Sequence, residues 1–111
     1  MAELRNVSVS EALVLVSDGA LLLDVREDNE WSAGRALGAI HIPLNEVPDG
    51  LDNLTKQQTI VCVCRSGVRS ARAAVFLQEH GFDAVNLEGG MLTWSADGEL
   101  LESDAGEPAV I

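Results

Sequence analysis

Apolar positions along this chain fall into short runs, separated by polar stretches whose spacing is helical. Val9, Ala12, Leu13 and Val16 recur at the period of an amphipathic helix over Ser8 to Asp18, with Ser8 or Ser10 as N-cap and Gly19 as terminator. Ala20 to Val25 is a near-continuous apolar run, the pattern of a strand covered on both faces. Glu27 to Gly34 is polar and predicts a short helix carrying Trp31. Ala39 to Ile42 predicts a strand closed by Pro43, and Pro48 to Leu54 a short helix or turn. Thr59 to Val63 is the most strand-like run of all. Arg69 to His80 turns Ala73, Ala74, Phe76 and Leu77 toward a core, and Gly81 fits the position just past a helix end. Ala84 to Leu87 is the last strand, followed by Gly89-Gly90 and a short helix through Trp94. Strands and helices alternate at short intervals, which predicts an α/β fold, a small parallel sheet with helices on both faces. Ligands of such folds sit beyond the carboxyl ends of the strands, and Cys64 lies at that edge.

Bulk composition narrows the function. At 111 residues the chain is one domain, and with 47% hydrophobic but only 4% aromatic residues its core is aliphatic. No apolar stretch approaches the roughly 20 residues of a membrane span. Met1 to Arg5 lacks the apolar follow-on of a signal peptide, so a cytoplasmic protein is expected. The net charge of −11 repels phosphates and argues against a nucleic-acid binder. The charge is uneven. Residues 73–111 hold eight acids and no Lys or Arg, whereas Arg65, Arg69 and Arg72 lie close together. A positive spot on an acidic body suits a small anion, or a protein that docks at one site. The composition divides at residue 97: residues 98–111 read as an acidic, mostly solvated C-terminal tail with no basic residue of its own, held by its own domain or by a neighbouring chain.

The two cysteines, Cys62 and Cys64, are two apart on a strand and share a face. They match neither a redox pair nor a zinc site, so no metal is expected, and nothing in the sequence calls for an organic cofactor. Cys62 reads as a small core residue. Cys64 differs, because it sits where a buried strand meets the start of a helix, in the loop Cys64-Arg65-Ser66-Gly67-Val68-Arg69-Ser70. Free N–H groups and the positive end of the helix dipole favour a thiolate there, and the two loop arginines add to that field.

Four segments resemble the rhodanese family of single-domain sulfurtransferases, over roughly Val7 to Trp94. Leu23-Asp24-Val25-Arg26 is similar to the family's strand-end segment. Glu30-Trp31, Gly34, Gly38-Ala39 and Ile42-Pro43 resemble its second signature. Cys64 to Ser70 resembles the active loop, and Leu87-Glu88-Gly89-Gly90 with Trp94 the segment near the end. One stretch departs from the pattern: Arg35-Ala36-Leu37 stands where the family usually has His-Ile-Pro, which puts substrate preference in question.

The resemblance implies a rhodanese-like domain over residues 1–97 with a five-stranded sheet and Cys64 as a nucleophile that carries a persulfide. Sulfur would come from thiosulfate or a persulfide donor and pass to a thiophilic acceptor, which could be a protein. Arg65, Ser66, Gly67, Val68, Arg69 and Ser70 would bind the donor, the arginines by charge and the rest through backbone N–H groups. Asp24 and Arg26 would brace the loop. Competing readings are a relay or binding module serving one partner protein, and a Cys-Arg phosphatase or arsenate reductase. Four residues separate Cys64 from Arg69; the phosphatase loop is longer, and the short loop fits a single sulfur atom better.

Overall fold

A computed structural model describes residues 3–111. Met1 and Ala2, part of the segment read as lacking a leader, lie outside the described residues. The elements run β1 (Asn6–Val7), α1 (Val9–Ser17), β2 (Leu21–Asp24), α2 (Asp28–Ala33), β3 (Arg35–Ala36) and β4 (Ile40–His41), followed by two 3-10 turns, Leu44–Glu46 and Pro48–Asn53. Then come β5 (Ile60–Val63), α3 (Val68–Glu79), β6 (Ala84–Leu87), α4 (Gly90–Ala96) and β7 (Leu101–Glu102).

Five strands form one sheet in the order β1-β6-β5-β2-β4, and every pairing in it is parallel. The parallel α/β reading therefore holds. β5 lies at the centre, so Cys64 emerges from the most enclosed strand of the fold. Its side chains alternate between two cores. Val61 and Val63 pack with Val9, Ala12, Met91 and Trp94 from α1 and α4, whereas Ile60, Cys62 and Cys64 pack with Ala73, Ala74 and Leu77 from α3. Each fully buried Val, Leu, Ile or Met side chain among them contributes roughly 1.5–3 kcal/mol, so the helices are held to both faces chiefly by burial.

Local chemistry sets the ends of the elements. Of the two N-cap candidates for α1, Ser8 takes the role: its Oγ accepts from Glu11 N–H at 3.1 Å, and the Glu11 carboxylate accepts from Ser8 N–H at 3.1 Å. Past α3, Gly81 adopts φ +87°, in the left-handed region that closes helices.

The tail folds back on the domain. β7 pairs antiparallel with β3, and Arg35 holds it with Nε 3.5 Å from Glu102 and Nη1 2.8 Å from Asp104. Further along, Ala109 N–H donates to Ala33 O at 2.9 Å, Leu101 and Val110 rest on the core, and Arg65 Nε donates to Ile111 O at 3.0 Å. Two tail acids thus find their cation in Arg35, within the stretch that departs from the family pattern. Gly34 is needed beneath this strap, since a Cβ there would fall 2.7 Å from Ala109 N.

Candidate active site

Cys64 directly follows β5, and the chain then turns through Arg65 and Ser66 to Gly67, whose φ of +104° caps the start of α3. That positive φ suits glycine and lets the loop close tightly around the sulfur. Gly67 N–H donates to Cys64 Sγ at 3.1 Å, and Ser70 Oγ lies 3.3 Å from the same atom. Burial of the sulfur works against ionisation. Hydrogen bonds from the Ser70 hydroxyl and from the Ser70, Gly67 and Ser66 N–H groups more than reverse it, so the thiol is held below its ordinary range. Cys62 is the opposite case: burial first, then the neighbouring Cys64 charge, pushes its thiol up to about 12. Cys64 is only 1% exposed, while Arg65, Ser66 and Val68 around it are exposed. The Cys64 sulfur is thus recessed beneath a rim of exposed loop residues.

A second layer fixes the loop. Asn86 Nδ2 donates to Gly67 O at 3.1 Å and to Asn6 Oδ1 at 2.9 Å, while its Oδ1 accepts from Ser70 Oγ at 2.6 Å. The Ser70 hydroxyl has one proton and its shorter contact is to Asn86, so the backbone N–H groups carry much of the thiolate's stabilisation. Asn86 is a site residue that sequence reasoning missed. The signal was present, since it is the one polar residue in the otherwise apolar, fully buried run Ala84–Leu87. From α4, Met91 N–H donates to Cys64 O at 2.8 Å and Leu92 N–H to Arg65 O at 3.0 Å. The Gly89-Gly90 segment thus holds the back of the loop.

Ser70→Ala removes the hydroxyl that stands 3.3 Å from the sulfur and frees the Asn86 carboxamide. The acidic limb of the activity profile is expected to move to higher pH, because a thiol whose pKa rises needs more alkaline solution to form the thiolate. Thiol alkylation followed against pH measures this directly.

The charged residues fall into two groups. Asp24 and Arg26 are fully buried and paired, with Nη2 2.8 Å from Oδ2 and Nε 3.0 Å from Oδ1. Arg26 Nη2 also donates to Gly34 O at 2.7 Å, so the pair fastens the end of β2 to the α2–β3 corner. Beside it His41 stacks on Trp31 at 4.7 Å and contacts Arg26 O through Nε2 at 2.7 Å, which gives it the partners that the sequence did not reveal. Arg69, expected to face the donor, instead grips Glu30 with both nitrogens, Nη1 to Oε1 at 2.7 Å and Nη2 to Oε2 at 2.9 Å. This grip, against the cost of burial, holds the Glu30 carboxyl down at about 2. Arg72 makes no ion pair among the described residues. The described residues also contain no cluster of three or more His, Cys, Asp or Glu able to hold a metal, and no helix long and apolar enough to cross a membrane.

Residues 8–97 match the family described as Rhodanese-like domain. YtwF of Bacillus subtilis is 42% identical over 97 residues, covering 86% of this chain and 94% of that protein. The thiosulfate sulfurtransferase GlpE of Pseudomonas entomophila is 32% identical over 108 residues, covering 95% and 99%. Among solved structures, a rhodanese-like domain protein from Staphylococcus aureus superposes with a TM-score of 0.82 at 34% identity, covering 92% of this chain and 100% of that one.

Proposed function

The chain belongs to the rhodanese-like domain family, and we propose that it is a sulfurtransferase that carries sulfur as a persulfide on Cys64. The observation that carries the reading is the Cys64 sulfur itself, recessed, lowered in pKa and surrounded by N–H donors. Its thiolate attacks the outer sulfur of a donor. With thiosulfate the S–S bond breaks, sulfite leaves with the electron pair, and Cys64-S-S⁻ remains. An acceptor such as cyanide or a thiol then takes the outer sulfur and restores the thiolate. The N–H groups of the Arg65–Ser70 loop stabilise the persulfide anion as oxyanion-hole donors stabilise an alkoxide. The lowered pKa of the Cys64 thiol raises the fraction of thiolate available for the attack.

Thiocyanate production from thiosulfate and cyanide tests this, with parallel double-reciprocal lines expected for a ping-pong cycle. Protein-specific relay is the second reading, favoured by the exposed apolar rim residue Val68 beside the loop. It predicts a persulfide that forms but turns over poorly with free acceptors. Hydrolysis of an aryl phosphate by the native protein would instead point to the phosphatase chemistry.

A further inference from the structure

The loop arginines are the natural counter-ions of an anionic donor, yet neither head group is free of protein contacts. Arg65 Nε is engaged by Ile111 O at 3.0 Å. Both terminal nitrogens of Arg69 are engaged by Glu30, at 2.7 and 2.9 Å. Glu27 is exposed at the N-terminal cap of α2, the helix that carries Glu30. Glu30 is held in place from its own helix as well, since Glu27 N–H donates to its Oε1 at 3.0 Å. Of the three arginines of the positive spot, Arg69 is therefore the one whose charge is matched by a carboxylate, while Arg65 donates only its Nε to a backbone oxygen.

We propose that Glu30 is a specificity-determining residue: by occupying Arg69 and placing a carboxylate at the mouth, it disfavours the thiosulfate dianion and favours a persulfide of a small thiol, R–S–SH, as sulfur donor. This rests on the Cys64 persulfide reading and names the substrate class for it. The Cys64 thiolate attacks the outer sulfur, the S–S bond breaks, and R–S⁻ leaves with the electron pair while Cys64-S-SH forms. Where R bears no net charge, such a donor carries at most one negative charge where thiosulfate carries two, so it is repelled less by the Glu30 carboxylate. Its terminal sulfur is also narrow enough for the recessed thiol.

The test compares kcat/KM for thiosulfate and for the persulfide of N-acetylcysteine methyl ester in the native protein and in Glu30→Gln. Glutamine keeps the Oε1 acceptor for Glu27 N–H and Arg69 Nη1, and removes the charge together with the acceptor for Arg69 Nη2. One charge at this range, screened near the surface, is worth about a fivefold change per unit of donor charge. The ratio of thiosulfate to persulfide efficiency is therefore expected to rise about fivefold in Glu30→Gln, and the rise is expected to shrink with added salt. An equal change for both donors means that Glu30 only holds the loop and overturns the proposal, as does a fall in the ratio. Should Glu30→Gln not fold, Glu27→Gln removes the neighbouring charge, and an unmoved ratio there overturns the proposal as well. Intact mass of the native protein separates the underlying reading: no added sulfur from either donor overturns the Cys64 persulfide itself, whereas added sulfur with an unmoved ratio overturns only the role of Glu30.

Discussion

Cys64→Ser is expected to lose sulfur transfer by about three orders of magnitude or more, the scale seen when a covalent nucleophile is deleted. A serine hydroxyl at this place keeps the N–H cradle but ionises far too weakly, and its oxygen cannot hold the outer sulfur as a disulfide-like anion. The neighbouring thiol does not rescue it. Cys62 is fully buried in the α3-facing core, and its thiol is raised to about 12. Cys62→Ala accordingly keeps its activity and loses about 1–2 kcal/mol of stability for the small cavity left behind. Steady-state transfer assays and thermal melts on the two variants separate the roles. Comparable activity in both would remove the distinction between the cysteines.

Gly90→Ala carries the largest expected effect on the scaffold. Its φ of +57° lies in the left-handed region, and an added Cβ would overlap Cys64 O and stand 2.6 Å from Arg65 O. Those carbonyls are backbone atoms of the active loop, and each accepts a hydrogen bond from the start of α4. The overlap cannot be relieved by a side-chain rotation, so either α4 or the loop must move. The sum of overpacking and backbone strain is about 2–4 kcal/mol. Melting temperature is expected to fall. The transfer rate falls beyond what unfolding explains, because the N–H groups around Cys64 lose their geometry. Gly38, whose φ is +77° but whose added Cβ meets nothing within 4 Å, is the control: its substitution strains the backbone and leaves the loop in place.

The strand–helix alternation and the Cys64 loop were legible in the sequence because both are local. A buried strand announces itself by an unbroken apolar run, and the turn from β5 into α3 by its glycine and its flanking elements. Three two-residue strands were not legible. β1, β3 and β7 are too short to show a period, and β7 lies in a segment whose acids suggested solvent. Its anchor, Arg35, is 69 positions from Asp104, a distance that no local pattern spans. The same reason hid the partner of Arg69. Its proximity to Cys64 in sequence suggested a donor-binding cation, but Glu30, 39 positions away, reaches it first. Asn86 was hidden differently. Its position was readable as a polar residue within a buried strand, but its task became clear only once Gly67 O and Ser70 were seen within its reach.

The central claim is that Cys64 alternates between thiolate and persulfide. Intact-protein mass after incubation of the reduced protein with a sulfur donor, and again after addition of cyanide, tests it most directly. The account predicts a gain of one sulfur atom that maps to Cys64, is absent in Cys64→Ser and disappears with cyanide. A reduced protein that gains no sulfur from thiosulfate or from a small persulfide, or gains it on Cys62, would contradict it.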